Sequence, residues 1–132
     1  MARLHWPLVH GRPSVQIHLT QARSSQLLVR TLLADTGAGS LNAAFELILE
    51  DATCMFCGGF PGQPLSLRGA YAGSFLIYDL LVKLPALGFS QNLRVVGVPV
   101  PPGFDGIACF GFLNQFTYGN FGNPGQFGLE VP

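Results

Sequence analysis

The most informative stretch of this chain reads Leu32-Leu33-Ala34-Asp35-Thr36-Gly37-Ala38-Gly39-Ser40. Apolar residues run directly up to a carboxylate, which is followed by a hydroxyl group and by small residues. This order is typical of a buried strand that ends at a tight loop. Gly37 has no Cβ, so its backbone can adopt a positive φ and bring its N–H close to the Asp35 carboxylate. The stretch therefore predicts a strand that presents Asp35 on a loop, although an ordinary Asx-turn gives the same local pattern.

Composition indicates one apolar domain. The chain has 132 residues, which we expect to form a single domain over residues 1–132. It is 48% hydrophobic but only 11% charged, with seven basic and seven acidic residues. Nucleic acid selects basic surfaces, so this balanced charge argues against a nucleic-acid partner. So few charges indicate that a partner covers part of the exterior, most simply a second copy of the chain.

The same sequence favours a cytoplasmic protein without a membrane span. The longest apolar runs are interrupted by Asp79 and Lys83, and the first residues lack the apolar core of a signal peptide. Three cysteines without an export signal favour reduced thiols. Cys54 and Cys57 have the spacing of half a zinc site, but no second pair follows them. We therefore expect neither a metal nor another cofactor.

Frequent turns dominate the predicted secondary structure, because the chain contains seventeen Gly and ten Pro. Strands are predicted at residues 15–20, 27–34, 65–68, 74–78, 80–84, 93–98 and 127–131. Residues 40–50 fit either a short strand or a helical turn, and residues 51–64 are predicted to be irregular. A short helix is predicted over residues 110–116, with Phe112 and Phe116 on one face.

A second motif lies near the C-terminus and reads Phe104-Asp105-Gly106-Ile107-Ala108-Cys109-Phe110-Gly111-Phe112-Leu113-Asn114-Gln115-Phe116. Together with Asp-Thr-Gly-Ala, this segment resembles the retropepsin-like aspartic proteases, in which two hydrophobic residues and a Gly precede a short helix. The order of predicted elements from about Val15 onward also fits this family. The resemblance implies an all-β, small closed barrel-like retropepsin (acid protease) fold with one short C-terminal helix, assembled as a homodimer.

The resemblance also assigns roles around the two motifs. It makes Asp35 the catalytic carboxylate, with loop support from Thr36, Gly37 and Ala38. It places Ile107, Ala108 and Cys109 beneath this loop, where the chain passes between strands in a ψ-shaped arrangement. Cys109 stands where the family has Gly, so we expect a local accommodation around its small side chain.

A hairpin flap that closes over the substrate is a further feature implied by the resemblance. We favour the segment Gly69-Ala70-Tyr71-Ala72-Gly73, because its flanks alternate as strands do. The Cys57-Gly58-Gly59 turn is the alternative, because it lies where a short retroviral flap would fall when counted from Asp35.

The function implied is that of an aspartic endopeptidase acting on a peptide or protein substrate, with a water activated by paired Asp35 carboxylates from two chains. The other aspartates, Asp51, Asp79 and Asp105, are not followed by Thr-Gly, so the second loop must come from another copy. Thr36 hydroxyls would hydrogen-bond across the two-fold axis, and the tail strand would join an intersubunit sheet. The alternative is a non-catalytic homodimeric retropepsin-fold binding or assembly module. A purely structural protein is disfavoured because it gives no reason for the Asp35 loop.

Overall fold

The computed structural model describes residues 2–21, 23–58, 64–67, 73–100 and 102–132. These residues form ten strands: β1 (Arg3–Pro7), β2 (Ser14–Thr20), β3 (Leu27–Ala34), β4 (Leu47–Leu49), β5 (Pro64–Leu67), β6 (Gly73–Leu84), β7 (Phe89–Gly97), β8 (Gly106–Ala108), β9 (Thr117–Gly119) and β10 (Gln126–Glu130). They also form two α-helices, α1 (Asp51–Gly58) and α2 (Phe110–Leu113), and a 3₁₀ turn at Pro85–Leu87. The chain is therefore mostly β, as the sequence predicts.

Six of the strands close into a barrel. Their order is β2-β3-β8-β4-β7-β6, and β6 pairs back to β2 through His18↔Lys83 and Leu19↔Val82. Strand β5 adds to the far end of β6 as the arm of a hairpin. Because β6 pairs with β2, each of the six strands has a neighbour on both sides, which confirms the predicted barrel-like architecture.

Strand β2 shows how the sequence builds the barrel wall. Val15, Ile17 and Leu19 are fully buried, whereas Gln16 between them is exposed. Because successive side chains of a strand point to opposite faces, this alternation directs the apolar residues into the core and the polar ones outward. Burial of each such side chain stabilises the fold by roughly 1.5–3 kcal/mol.

The predicted ψ-shaped arrangement is present in the middle of the barrel. Strand β8 runs parallel to β3 on one side and antiparallel to β4 on the other, while β4 also runs parallel to β7. Strands β4 and β8 are buried at every position, as expected for strands covered on both faces. Gly106 permits this packing, because a Cβ there would collide with the carbonyl oxygen of Ile48.

The tail strand lies inside a sheet of its own chain. Strand β10 is the central strand of a second, antiparallel sheet with the order β1-β10-β9. Both of its edges therefore pair within its own chain, and a sheet shared between subunits stays a prediction. Its Leu129 is 0% exposed and belongs to the main core, so this strand stabilises the chain itself.

Helix α1 corrects the prediction of an irregular segment after residue 50. Asp51 lies in its first turn, where a negative charge is favourable, and its Oδ1 accepts a 3.0 Å hydrogen bond from the Tyr78 hydroxyl. The buried face of the helix carries Thr53, Cys54 and Cys57. The glycines and prolines of residues 51–64 lead to the prediction of an irregular segment. For residues 40–50, where the sequence fits either a strand or a helical turn, the structure has a strand, β4. The fold therefore contains α1 in addition to the predicted short C-terminal helix.

The two remaining local predictions hold in part. The arms of the predicted hairpin are confirmed, because β5 and β6 pair antiparallel up to Leu67↔Gly73. The predicted C-terminal helix forms but ends at Leu113. Phe112 and Phe116 nevertheless pack together, with ring centroids 5.4 Å apart.

Replacing Gly106 by Ala tests the close packing of β8. The new Cβ would press on the backbone of β4, which cannot rotate away as a flexible side chain does. We expect the free energy of unfolding to fall by about 1–3 kcal/mol, as for other overpacked sites, when it is measured by denaturant titration. Gly111→Ala is the matched control, because the nearest atom to its Cβ would be the Ser40 oxygen at 3.6 Å. Equal stability of the two variants would contradict this packing.

Candidate active site

Asp35 is the first residue after β3, at the point where the chain leaves the barrel wall. The last three residues of that strand are buried in the core. The Asp35 N–H donates to the Ala108 carbonyl over 3.0 Å, which extends the pairing of β3 with β8 by one residue. The Asp35 side chain is half-buried. The backbone of Asp35 is therefore held by the barrel while its carboxylate reaches the surface.

Backbone N–H groups of the loop fix the orientation of this carboxylate. The Gly37 N–H donates to Asp35 Oδ1 over 2.9 Å, and the Ala38 N–H donates to the Asp35 carbonyl over 3.2 Å. A Cβ at Gly37 would lie only 3.2 Å from Oδ1. The positive φ of this loop falls at Gly39 (73°) and not at Gly37. The expected contact is confirmed, but the expected backbone conformation of Gly37 is wrong.

The outer surface of the loop is open in the single chain. Thr36 and Gly37 are exposed, and Ala38 is partly buried. Of the two Asp35 carboxylate oxygens, only Oδ1 is held by an N–H of the described residues. The other oxygen is therefore left for a water, a substrate or a second carboxylate.

The segment predicted to underlie the loop does so. Ile107, Ala108 and Cys109 are 3%, 0% and 0% exposed, and the next N–H, of Phe110, donates to the Ala38 carbonyl over 2.9 Å. A Cβ built on Gly39 would lie 3.6 Å from the Cys109 Cβ, an ordinary van der Waals contact. The loop therefore accommodates the Cys109 side chain without a collision.

The Cys109 thiol is neutral in this position. Burial, followed by the negative charges of Asp35 and Glu46, raises its pKa to about 12. Its Sγ lies 3.9 Å from the Ile107 carbonyl oxygen, a long contact even for sulfur. A thiol is nucleophilic only as the thiolate, so Cys109 is placed for packing and not for covalent chemistry.

Three other carboxylates of the described chain are engaged within the fold. Asp51 accepts from the Tyr78 hydroxyl, Asp105 accepts from the Thr31 N–H, and Glu46 accepts from both the N–H and the guanidinium of Arg94. Sequence reasoning gave none of these three a role, since their partners are distant in the chain. Of these three carboxylates, Glu46 also contributes to the raised pKa of Cys109, and both of its carboxylate oxygens accept hydrogen bonds from Arg94.

The favoured flap falls mostly outside the described residues, which exclude Gly69, Ala70, Tyr71 and Ala72. Gly73 is described, opens β6 and has a φ of 142°. In the alternative turn, Cys57 and Gly58 end helix α1, and a Cβ at Gly58 would lie 2.7 Å from Leu80 Cδ2. The alternative is therefore wrong for these two residues, because they are helical and packed on β6.

Two grooves that are bounded by described residues lie away from the Asp35 loop. One, of about 300 Å³, is bounded by Trp6, His18 and Leu84, among others. Another, of about 360 Å³, lies between β3 and α1 and is bounded by Arg30, among others. Asp35 lines neither of them.

Within the ranges that the structure describes, no three His, Cys, Asp or Glu side chains come together in a way that could hold a metal ion.

None of the helices in the described part of the chain has the length and apolarity needed to cross a bilayer.

Comparison of this chain with protein-family models, curated proteins and solved structures finds no match.

The burial of Cys109 predicts a slow reaction with alkylating reagents. At pH 8, a pKa near 12 leaves about a thousandfold less thiolate than in the unfolded chain, and burial also blocks access. Peptide mapping by mass spectrometry should find Cys109 unlabelled in the folded protein and labelled quickly in denaturant. Cys57, which is 9% exposed, is the internal control and should react first of the three cysteines. Labelling of Cys109 at one rate in both states would contradict its place beneath the loop.

Proposed function

We propose that this chain is one subunit of a homodimeric aspartic endopeptidase of the retropepsin type. The observation that carries the proposal is the Asp35 loop, in which a carboxylate at the end of a buried strand is oriented by the Gly37 N–H at 2.9 Å. The closed barrel and the passage of β8 between β3 and β4 support the same proposal.

A second Asp35, from another copy of the chain, completes the site. Peptide hydrolysis by this route needs two carboxylates, and this chain has a single Asp-Thr-Gly sequence. Asp51, Asp105 and Glu46 are each hydrogen-bonded within the fold. A two-fold axis beside the exposed loop brings the same residue of both protomers together, as in any isologous dimer.

The paired carboxylates perform the proton transfers of hydrolysis. Carboxylates about 3 Å apart share one proton, because like charges at that distance cannot both ionise. The ionised member accepts a proton from the attacking water, while the protonated member donates to the carbonyl oxygen of the substrate. When the tetrahedral intermediate collapses, a proton passes to the leaving nitrogen, and the products are a carboxylic acid and an amine.

Other features of the loop and hairpin suit this role. Thr36 is exposed next to Asp35, which supports a hydrogen bond between the two loops across the axis. The paired arms β5 and β6 support a flap role for the predicted segment Gly69 to Gly73, which would close over a peptide and exclude water. The three cysteines are buried free thiols, which supports a reducing compartment such as the cytoplasm.

A non-catalytic homodimeric binding or assembly module is the second candidate. The observation that favours it is Cys109, which fills a position beneath the loop where the family resemblance implies Gly. In such a module, the loop would keep its shape for binding and would not turn over a substrate.

Asp35→Asn separates these two functions. The amide oxygen can still accept from the Gly37 N–H, so we expect the variant to fold, with a melting temperature close to that of the wild type. It cannot share the proton or act as the base, so cleavage of an unfolded protein between pH 3 and 7 should fall by roughly 10²- to 10⁴-fold.

Asp79→Asn is the matched control, because Asp79 is an exposed residue of β6 and undergoes the same chemical change. It should cleave at the wild-type rate. Full activity of Asp35→Asn, or no activity in the wild type at any of these pH values, would contradict the endopeptidase.

A further inference from the structure

Each of the two parallel strand pairs in the barrel begins with the same reciprocal contact. One residue before the β3–β8 ladder, the Asp105 N–H donates to the Thr31 carbonyl, and the Thr31 N–H donates to Asp105 Oδ2, both over 2.8 Å. One residue before the β4–β7 ladder, the Glu46 N–H donates to the Arg94 carbonyl, and the Arg94 N–H donates to Glu46 Oε2, both over 2.9 Å. In both pairs, an acidic side chain accepts the N–H of the opposite strand.

These contacts lengthen ladders that are short. The β3–β8 ladder pairs only three residues of each strand, from Leu32↔Gly106 to Ala34↔Ala108. Register in so short a ladder is weakly fixed by the backbone alone, and a shift by one residue would turn every side chain of β8 to the opposite face. A carboxylate that accepts a backbone N–H makes a stronger bond than a neutral carbonyl does. Asp105 therefore adds one strong contact at the end of the ladder where β8 begins.

The opposite end of the same ladder holds the candidate active site. Thr31 and Asp35 are four residues apart on one strand, about 13 Å in an extended chain. At this end the Asp35 N–H donates to the Ala108 carbonyl, and two residues further along, the Phe110 N–H donates to the Ala38 carbonyl. The Asp35 loop is thus bound to β8 and to the residues that follow it, so a displacement of β8 displaces the loop.

Hydrogen bonds on the other side of β8 also hold the strand in place. The Cys109 N–H donates to the Glu46 carbonyl over 3.2 Å, and the Glu50 N–H donates to the Asp105 carbonyl over 3.4 Å. Strand β8 therefore has a fixed partner at each end and on both sides, and Asp105 takes part in three of these hydrogen bonds. Asp105 is half-buried, so water competes weakly for its carboxylate.

We propose that Asp105 is a positioning residue for Asp35: through its contacts with Thr31, the Asp105 carboxylate sets the register of β8 against β3 and so fixes the loop that carries Asp35. The effect of Asp105 on catalysis rests on the proposed function. The effect of Asp105 on the position of the loop does not depend on any activity. Asp105 does not touch the reacting atoms, and the distance along the strand separates it from them.

Asp105→Ala removes the side-chain contact and leaves the backbone one. The amide resonance of Gly37, whose N–H is bound to Asp35 Oδ1, reports the loop in a ¹⁵N-correlated spectrum. We expect this resonance to shift in Asp105→Ala and to return in Asp105→Asn, whose amide oxygen can still accept from Thr31. A displaced catalytic group lowers turnover, so kcat should fall by roughly 10- to 100-fold while KM stays within about twofold. Asp79→Ala, which removes an exposed carboxylate, should change neither quantity.

Asp105→Glu keeps the experiment decisive if Asp105→Ala does not fold. It retains the charge but lengthens the side chain by one methylene group, so it should fold with a shifted Gly37 resonance and a reduced kcat. An unchanged Gly37 resonance in a folded Asp105→Ala or Asp105→Glu would overturn the proposal. If the proposed protease function is wrong but the positioning role is right, the result is different. Asp35→Asn then retains full activity, while Asp105→Ala still shifts the Gly37 amide resonance.

Discussion

Strand β8 lies between β3 and β4 at a separation that admits only a hydrogen atom as the side chain of residue 106. A Cβ there would meet the carbonyl oxygen of Ile48 and lie 2.6 Å from a methyl carbon of Leu49. The loop that holds Asp35 depends on this close contact, because the Asp35 N–H is bound by the last residue of β8. The helix α2 begins directly after Cys109 and returns its first N–H to the loop. One buried strand of three residues therefore connects the barrel core to the candidate site.

Much of this organisation is predictable from local patterns. The alternation at Val15 to Thr20 and the apolar approach to Asp35 predict β2 and β3, and the bounds 27–34 agree with the observed strand. The contact between Gly37 and Asp35 is also local, since it spans two residues. The ψ-shaped passage of β8 was expected only from the resemblance of two motifs, because periodicity cannot indicate which distant strands pair.

The features that the sequence conceals depend on partners far along the chain. Helix α1 follows no clear periodicity, and it is held by Asp51 reaching the Tyr78 hydroxyl, 27 residues away. Strand β10 looks like a free tail until β1, from the other end of the chain, pairs with it. The role of Asp105 is hidden for the same reason, because Thr31 is 74 residues away. Burial then fixes the chemistry: it raises the pKa of Cys109 to about 12, which a motif comparison alone would not indicate.

The central claim is that two Asp35 carboxylates from different chains form one site, and subunit mixing tests it most directly. Wild-type and Asp35→Asn chains would be unfolded together, refolded at fixed total concentration in varied ratios, and assayed for cleavage. If both carboxylates are required, only dimers of two wild-type chains are active, so activity falls as the square of the wild-type fraction, to about a quarter at equal mixing. Activity that falls in direct proportion to the wild-type fraction, to about half at equal mixing, would show that each chain carries a complete site and would contradict the shared dyad.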